Sequence, residues 1–116
     1  MSSKSANYCC TSKTDNTGFL MLGEVALGNQ HEMFEADEKV RTKCEAAGNH
    51  SVKGCGKTGP NPEGQVELPD GCIVPSGKPC DTGTKDTALI YNEFIVYDTA
   101  QIQMKYLLQI KFKYKY

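Results

Sequence analysis

The chain has 116 residues, of which 39% are hydrophobic and 23% are charged, a composition typical of globular proteins and unlike disordered or collagenous ones. This length allows one domain of ordinary size and excludes a two-domain enzyme. Thirteen basic residues against fourteen acidic ones give a net charge of −1, so the chain has no global positive field to attract nucleic acid, and we predict no direct nucleic-acid binding.

Neither export nor membrane insertion is expected. The longest apolar stretches are far shorter than the ~20 residues of a membrane span. Met1 is followed by SSKS rather than by the apolar core of a secretion signal. The six cysteines include one adjacent pair, Cys9 and Cys10, and no CxxC motif, so we expect reduced thiols rather than a disulfide framework.

Three side chains, Cys44, His50 and Cys55, are the nearest approach to a metal-binding group in the sequence. Their spacing fits no common zinc finger, and a second pair of ligands is not evident. We therefore predict no bound metal ion.

The first half of the chain predicts one strand and one short helix. Residues 18–27 are apolar on both faces apart from Glu24, which is typical of a buried strand. Residues 31–47 are acidic and contain several alanines, and they predict a short helix that ends at Gly48 and Asn49. Most of the glycines and all five prolines follow within residues 48–85, so this segment predicts loops with at most short strands, such as residues 72–74.

Two more strands are predicted near the C-terminus. Residues 88–97 are β-branched and aromatic on both faces, the pattern of a strand covered on both sides. From Ile102 to Tyr116, apolar residues occupy every even position, and polar residues occupy every odd position except Leu107. The short connection at residues 98–100 predicts that the two strands pair as an antiparallel hairpin.

Together these elements predict an α+β fold that is mainly antiparallel β. The last strand carries lysines on its odd face. A nucleic-acid patch or a solvated face that blocks pairing at a sheet edge would account for them, and the second explanation requires less. The members of this face are Lys105, Lys111, Lys113 and Lys115.

Residues 51–58, with the sequence SVKGCGKT, almost match the phosphate-binding P-loop. The first position is Ser51 rather than glycine, and the sequence GPNP follows where a helix N-terminus would have to bind phosphate. We therefore do not predict nucleoside triphosphate binding by this motif.

A carboxylate, Glu93, stands in the middle of the apolar run at residues 89–96, where burial without a partner would be costly. The pattern leaves two explanations open. In one, Glu93 faces water at a sheet edge or forms a buried ion pair. In the other, it lies at the floor of a cleft beside Tyr91 and Asn92, where it accepts a hydroxyl hydrogen bond and stabilises positive charge.

Four segments of the chain stand in an order that points to one family. They are SKSANY at residues 3–8, LGEVALG at residues 22–28, HSVKGCGKT at residues 50–58 with Pro60 and Pro62 after it, and YNEFIVYD at residues 91–98 with Gln101 and MKYLL after it. This series resembles the catalytic domain of poly(ADP-ribose) polymerases. The resemblance implies that residues 1–116 form a partial ADP-ribosyltransferase fold, the C-terminal half of that domain.

The resemblance also implies roles for five residues. Glu93 would bind a hydroxyl of the nicotinamide ribose of NAD+ and stabilise the oxocarbenium-like ribose that forms when nicotinamide leaves. Ser5 would hold the nicotinamide carboxamide, and Tyr8 would stack on the nicotinamide ring. Lys4 would line the same cleft, and Tyr91 would lie toward the acceptor.

The implied activity is transfer of ADP-ribose from NAD+ to protein acceptors and to the growing polymer, with NAD+ as substrate and no metal. A nuclear location is implied by the resemblance alone. The family's nucleotide-anchoring histidine and a further site tyrosine lie upstream of the segment that matches residues 3–8. The upstream half of the domain is therefore an expected partner, and the alternative function is a truncated, catalytically silent binding or interaction fragment.

Overall fold

The computed structural model describes residues 1–115, which form two compact units. Unit 1 combines Met1–Val25 with the C-terminal segment that starts at Ile102, and unit 2 is Ala26–Gln101. Every strand pair lies within one unit or the other. Tyr116, which the alternating pattern included in the last strand, lies outside the described residues.

Short strands dominate the described part of the chain, which confirms the predicted α+β class with mainly antiparallel pairing. No helix in residues 1–115 is long and apolar enough to cross a membrane. In chain order the elements are α1 (Ser2–Ala6), β1 (Thr17–Val25), β2 (Gln30–Met33), α2 (Val40–Ala46), β3 (Ser51–Gly54), β4 (Thr58–Pro60), a 3-10 helix (Pro62–Gly64), β5 (Val66–Glu67), β6 (Ile73–Val74), β7 (Pro79–Asp81), β8 (Glu93–Val96), a second 3-10 helix (Thr99–Gln101) and β9 (Ile102–Lys111).

Unit 1 is built on an antiparallel ribbon of β1 and β9, which pair over their full length with a register shift between Leu22 and Gly23. This pairing confirms the strand predicted at residues 18–27. The last strand is confirmed only as far as Lys111. Its predicted continuation through residues 112–115 is wrong, because Lys111 already lies opposite Thr17, where the partner strand begins.

The ribbon is more exposed than the sequence pattern predicts. Large apolar side chains on both strands are half exposed or more, so the expectation of strands buried on both faces is wrong for unit 1. A two-stranded ribbon has no third strand or covering layer of its own, which is why its apolar positions remain in contact with solvent. The most exposed examples are Phe19, Met21, Tyr106 and Leu107.

Unit 2 is built on a three-stranded sheet with the order β2, β3, β8. The central strand β3 is parallel to β2 and antiparallel to β8. The best-buried apolar side chains, Cys44 on α2 and Val52 on β3, form the core where that helix contacts the sheet. Two small antiparallel pairs, β4 with β7 and β5 with β6, occupy the segment rich in glycine and proline, and β6 confirms the short strand predicted at residues 72–74.

The predicted C-terminal hairpin is wrong. The edge strand β8 pairs with β3, whereas β9 pairs with β1. The connection between β8 and β9 contains a 3-10 helix, and Gln101 at its end is bonded to Ala26 in both directions. The N–H of Ala26 donates to the Gln101 carbonyl over 2.8 Å, and the Gln101 side-chain amide donates to the Ala26 carbonyl over 3.0 Å. These bonds turn the chain away from β8.

Two predicted elements are shorter than expected. In residues 88–97, only β8 is a strand, because residues 89–92 bond to the loop after β3 instead of joining the sheet ladder. The predicted helix at residues 31–47 is wrong in its first part, where β2 aligns with β3 in the sheet, and is confirmed as α2 in its last part. Tertiary pairing here overrides a weak helical pattern. Gly48, with a φ of 71°, follows α2 near the predicted stop.

Candidate functional site

The five predicted site residues are divided between the two units. Lys4 and Ser5 lie on α1 and Tyr8 follows it, all in unit 1. Glu93 is the first residue of β8, and Tyr91 precedes that strand, both in unit 2. The structure therefore brings the predicted residues together as two groups, one at each of these places.

The group in unit 1 is held by a compact turn of backbone. The N–H of Tyr8 donates to the carbonyl of Ser5 over 3.1 Å, which places both side chains on the end of α1. Tyr8 is 79% exposed and Ser5 is exposed, whereas Lys4 is half-buried. An open tyrosine ring and a hydroxyl within one turn can offer stacking and hydrogen bonding to the same flat ligand.

Glu93 is half-buried and lies directly opposite Gly54 in the antiparallel pair of β3 and β8. A Cβ atom placed on Gly54 would stand 2.8 Å from Cγ and 3.3 Å from Oε1 of Glu93. The side chain of Glu93 therefore lies against the backbone of β3. Glu93 begins an edge strand of the sheet and is neither fully buried nor fully exposed.

The segment that leads into Glu93 is fastened to residues 54–59, here called the glycine loop, by backbone hydrogen bonds. The N–H of Lys57 donates to Leu89 over 3.1 Å, and the N–H of Thr58 donates to Ile90 over 2.8 Å. In return, the N–H of Asn92 donates to Thr58 over 3.3 Å. These bonds fix the backbone immediately before the glutamate.

Asn92 adds a side-chain link to the glycine loop. Its Oδ1 accepts a hydrogen bond of 2.8 Å from the N–H of Gly56. A Cβ on Gly56 would stand 2.2 Å from the carbonyl carbon of Tyr91, and one on Gly59 would stand 2.9 Å from Nδ2 of Asn92. On the other side of the loop, the hydroxyl of Thr82 donates to the Gly56 carbonyl over 2.6 Å. Glycine is required at position 56 because a Cβ there would overlap the backbone of Tyr91.

The glycine loop is the part of the site that the sequence reasoning missed. In the sequence, these residues stand out as a near match to a phosphate-binding loop and as one segment of the family resemblance. In the structure, Gly54 ends β3, and strand β4, not a helix, begins at Thr58. The sequence did contain a signal for this loop, namely three closely spaced glycines next to a strand. Glycines in such positions often mark the close approach of another backbone segment. Gly54, Gly56 and Gly59 each meet the segment at residues 89–93.

A thiol and an ion pair stand close to the glycine loop. Lys53 Nζ lies 3.0 Å from Oε1 of Glu32 across the parallel pair of β2 and β3. Burial raises the pKa of the Cys55 thiol, Glu32 raises it further, and Lys53 opposes the shift. Cys55 is therefore protonated at neutral pH and does not supply a thiolate nucleophile.

A concave feature of unit 2 lies beyond the end of β8 that is opposite to Glu93. It is an open cleft of about 760 Å³, and its described lining includes none of the predicted site residues. In it, the Arg41 guanidinium stands 5.2 Å from the ring centre of Tyr97 and its Nε lies 3.0 Å from Oε1 of Glu45. Burial raises the pKa of Tyr97, with Cys44 and Glu45 acting in the same direction and Arg41 against it.

In residues 1–115, no group of three or more His, Cys, Asp or Glu side chains is placed to hold a metal ion. All six cysteines, which fall within this part of the chain, are free thiols.

Known proteins resemble this chain over nearly its whole length. Residues 1–112 match the family model of the poly(ADP-ribose) polymerase catalytic domain. The chain is 53% identical over 115 residues to poly(ADP-ribose) polymerase 1 of Gallus gallus and 50% identical over 115 residues to that of Danio rerio. It is 46% identical over 117 residues to poly(ADP-ribose) polymerase 2 of Homo sapiens.

These alignments cover 98% to 99% of this chain but only 11% to 20% of the three relatives. The matched residues include all four segments on which the resemblance was based. The similarity predicted from those segments is thus confirmed.

Proposed function

Because the chain belongs to the poly(ADP-ribose) polymerase catalytic domain family, we propose that it carries the glutamate-bearing part of an NAD+ ADP-ribosyltransferase. The enzyme transfers ADP-ribose from NAD+ to protein acceptors and then to the growing polymer, with release of nicotinamide. The observation that carries the proposal is the family match over residues 1–112, which includes Glu93 on an edge strand with a half-buried carboxylate.

In the proposed reaction, the bond between the ribose C1′ and the nicotinamide nitrogen breaks and its electron pair stays on nicotinamide. The ribose becomes oxocarbenium-like until a nucleophilic oxygen of the acceptor bonds to C1′, and the proton of an attacking hydroxyl passes to water. The carboxylate of Glu93 accepts a hydrogen bond from a ribose hydroxyl and stabilises the positive charge as it develops. Partial burial strengthens this interaction relative to one in bulk water.

The residues of unit 1 bind the leaving group in this proposal. The hydroxyl of Ser5 donates to and accepts from the nicotinamide carboxamide, and the exposed ring of Tyr8 stacks on the nicotinamide. Lys4 lines the cleft that would receive the nicotinamide. Tyr91, two residues before the glutamate, lies toward the acceptor.

The partners follow from the same reaction. They are NAD+, protein acceptors and the upstream half of the catalytic domain, which supplies the nucleotide anchor. A nuclear location and a part in DNA repair are included in the proposal because of family membership alone.

The test is incorporation of labelled ADP-ribose from NAD+ by the chain alone and by the chain co-expressed with the upstream half. We expect incorporation in the mixture only, because orientation of the substrate contributes a large part of the rate. Glu93→Gln should reduce it by roughly 100-fold or more. The matched control is Glu67→Gln, at an exposed position of β5, which should label as the wild type does.

Each other outcome decides against part of the proposal. Equal labelling by Glu93→Gln and wild type would remove Glu93 from the mechanism. Absence of labelling in the mixture, with both parts folded, would favour the catalytically silent fragment.

A further inference from the structure

We propose that Gly54 is a positioning residue for Glu93, because only a residue without a side chain leaves room for the glutamate in its observed conformation. The inference rests on the proposed function, since it assigns a purpose to the placement of the Glu93 carboxylate. It adds a determinant that lies on a different strand and does not itself touch substrate.

The register of the sheet places Gly54 beside Glu93. Gly54 and Glu93 stand directly opposite each other in the antiparallel pair of β3 and β8, so their side-chain positions lie on the same face. A Cβ on Gly54 would be 2.8 Å from Cγ of Glu93 and 3.3 Å from its Oε1. The first distance is shorter than carbon atoms tolerate, so an alanine at this position forces the glutamate side chain or the backbone to move.

The backbone conformation at position 54 does not require glycine. Gly54 lies in a regular strand, and its φ is outside the left-handed region that favours glycine. A glycine in the interior of a sheet costs stability relative to a residue with a side chain. The space above Gly54 is therefore the feature that matters, and Glu93 and Leu89 fill it.

Hydrogen bonds hold the backbone next to Glu93 in place, so that it cannot move easily. Asn92 is held by its Oδ1 on the Gly56 N–H at 2.8 Å and by its own N–H on the Thr58 carbonyl at 3.3 Å. A methyl group on Gly54 would therefore displace the side chain of Glu93 more than its Cα. Displacement of a reacting group by about 1 Å can cost roughly 100-fold in rate.

The residue that complicates a simple test is Leu89, whose Cδ1 would also stand 2.8 Å from the new methyl group. Truncation of Leu89 relieves that contact and leaves the contact with Glu93. The double variant Gly54→Ala with Leu89→Ala therefore separates crowding of a packing side chain from displacement of the carboxylate. Gly23→Ala, on β1, is the matched control, because a Cβ there meets its nearest neighbour at an ordinary 3.4 Å.

Two measurements test the inference. The first needs no turnover: three-bond carbon couplings of selectively labelled Glu93 in the 116-residue chain report its side-chain rotamer, with Glu93→Gln identifying the signal. The second is kcat and KM for NAD+ in the mixture with the upstream half. For Gly54→Ala and for the double variant, we expect a changed Glu93 rotamer, a kcat lower by roughly 100-fold and a nearly unchanged KM.

The contrary results are equally specific. If Gly54→Ala keeps the Glu93 rotamer and kcat of the wild type, or if truncation of Leu89 restores both, the inference is overturned. If Gly54→Ala fails to fold, the double variant supplies the measurement. If the wild-type mixture shows no turnover, the proposed function fails, while the rotamer measurement still decides whether Gly54 positions Glu93.

Discussion

The side-chain oxygen of Asn92 accepts a hydrogen bond of 2.8 Å from the backbone N–H of Gly56, which joins the residue before Glu93 to the centre of the glycine loop. Gly56 is buried, so water cannot replace this acceptor if it is removed. The link is one side-chain bond among several backbone bonds between the same two segments, and it can be deleted without changing any backbone atom.

Replacing Asn92 with alanine leaves the buried N–H of Gly56 without its acceptor. We expect the free energy of unfolding to fall by about 1–3 kcal/mol, measured by urea denaturation followed through amide signals of unit 2. Asn61→Ala is the control, because the Asn61 side chain accepts from the N–H of Glu63 at an exposed site. If both variants lost the same free energy of unfolding, burial of the hydrogen bond to Gly56 would contribute nothing to stability.

Gln101 provides a second test in unit 2. Its side-chain amide donates to the carbonyl of Ala26 over 3.0 Å and to that of His50 over 2.9 Å. Gln101→Glu replaces this donor with a carboxylate that faces two carbonyl oxygens, so we expect a loss of about 1–3 kcal/mol in the free energy of unfolding. Gln65→Glu, at an exposed loop position, makes the same chemical change and should cost far less.

The pKa of Asp37 is expected to lie below the ordinary value of an aspartate. Its pKa is lowered chiefly by the hydrogen bond from the Lys43 side chain and then by the backbone N–H of Lys39. Because the folded pKa lies below the unfolded one, this carboxylate stabilises the fold above the unfolded pKa and loses that contribution as pH falls through the folded pKa. Lys43→Met should raise the Asp37 pKa in a carbon-detected NMR titration.

Lys39→Met is the control for the Asp37 titration. It keeps the backbone N–H that bonds to Asp37 and removes only a minor charge effect, so the Asp37 pKa should change less than in Lys43→Met. A larger change in the control would contradict the assignment of Lys43 as the main cause.

The thiols should differ in their rates of alkylation. Cys10 is exposed, whereas Cys44 and Cys55 are 1% and 5% exposed. Burial also raises the pKa of Cys55, which lowers the fraction of reactive thiolate at neutral pH. Peptide mapping after iodoacetamide treatment should find Cys10 modified first and the two buried thiols last. In urea the difference should disappear, and its persistence there would exclude burial as the cause.

The sequence predicts strands more reliably than their partners. The pattern of apolar residues depends only on the strand itself, which is why β1, from its apolar run, and most of β9, from its alternation, were predicted. Pairing depends on contacts far apart in the chain, so the short connection at residues 98–100 suggested a hairpin that does not form. The register shift between Leu22 and Gly23 is likewise invisible in the pattern.

Prediction of the candidate site was limited by a similar difference. An ionisable residue in an apolar run attracts notice, so the surroundings of Glu93 marked it as a candidate, and the family resemblance favoured a functional role over a structural one. The role proposed for Gly54 is to leave room for the Glu93 side chain, and this role is visible only when the strand that lies opposite Gly54 is known. Ser5 and Tyr8 follow from family resemblance alone, because a polar N-terminal segment carries no physical signal of its own.

The paired bonds between Ala26 and Gln101 have a consequence for the order of folding. They bring together the two ends of unit 2, next to which β1 ends at Val25 and β9 begins at Ile102. Without them, pairing of the strands would require closure of a loop that contains the whole of residues 26–101, which is slow and entropically costly. We expect unit 2 to fold first. Strands β1 and β9 would then pair in sequence from Val25 and Ile102 outward, as the strands of a hairpin pair from its turn.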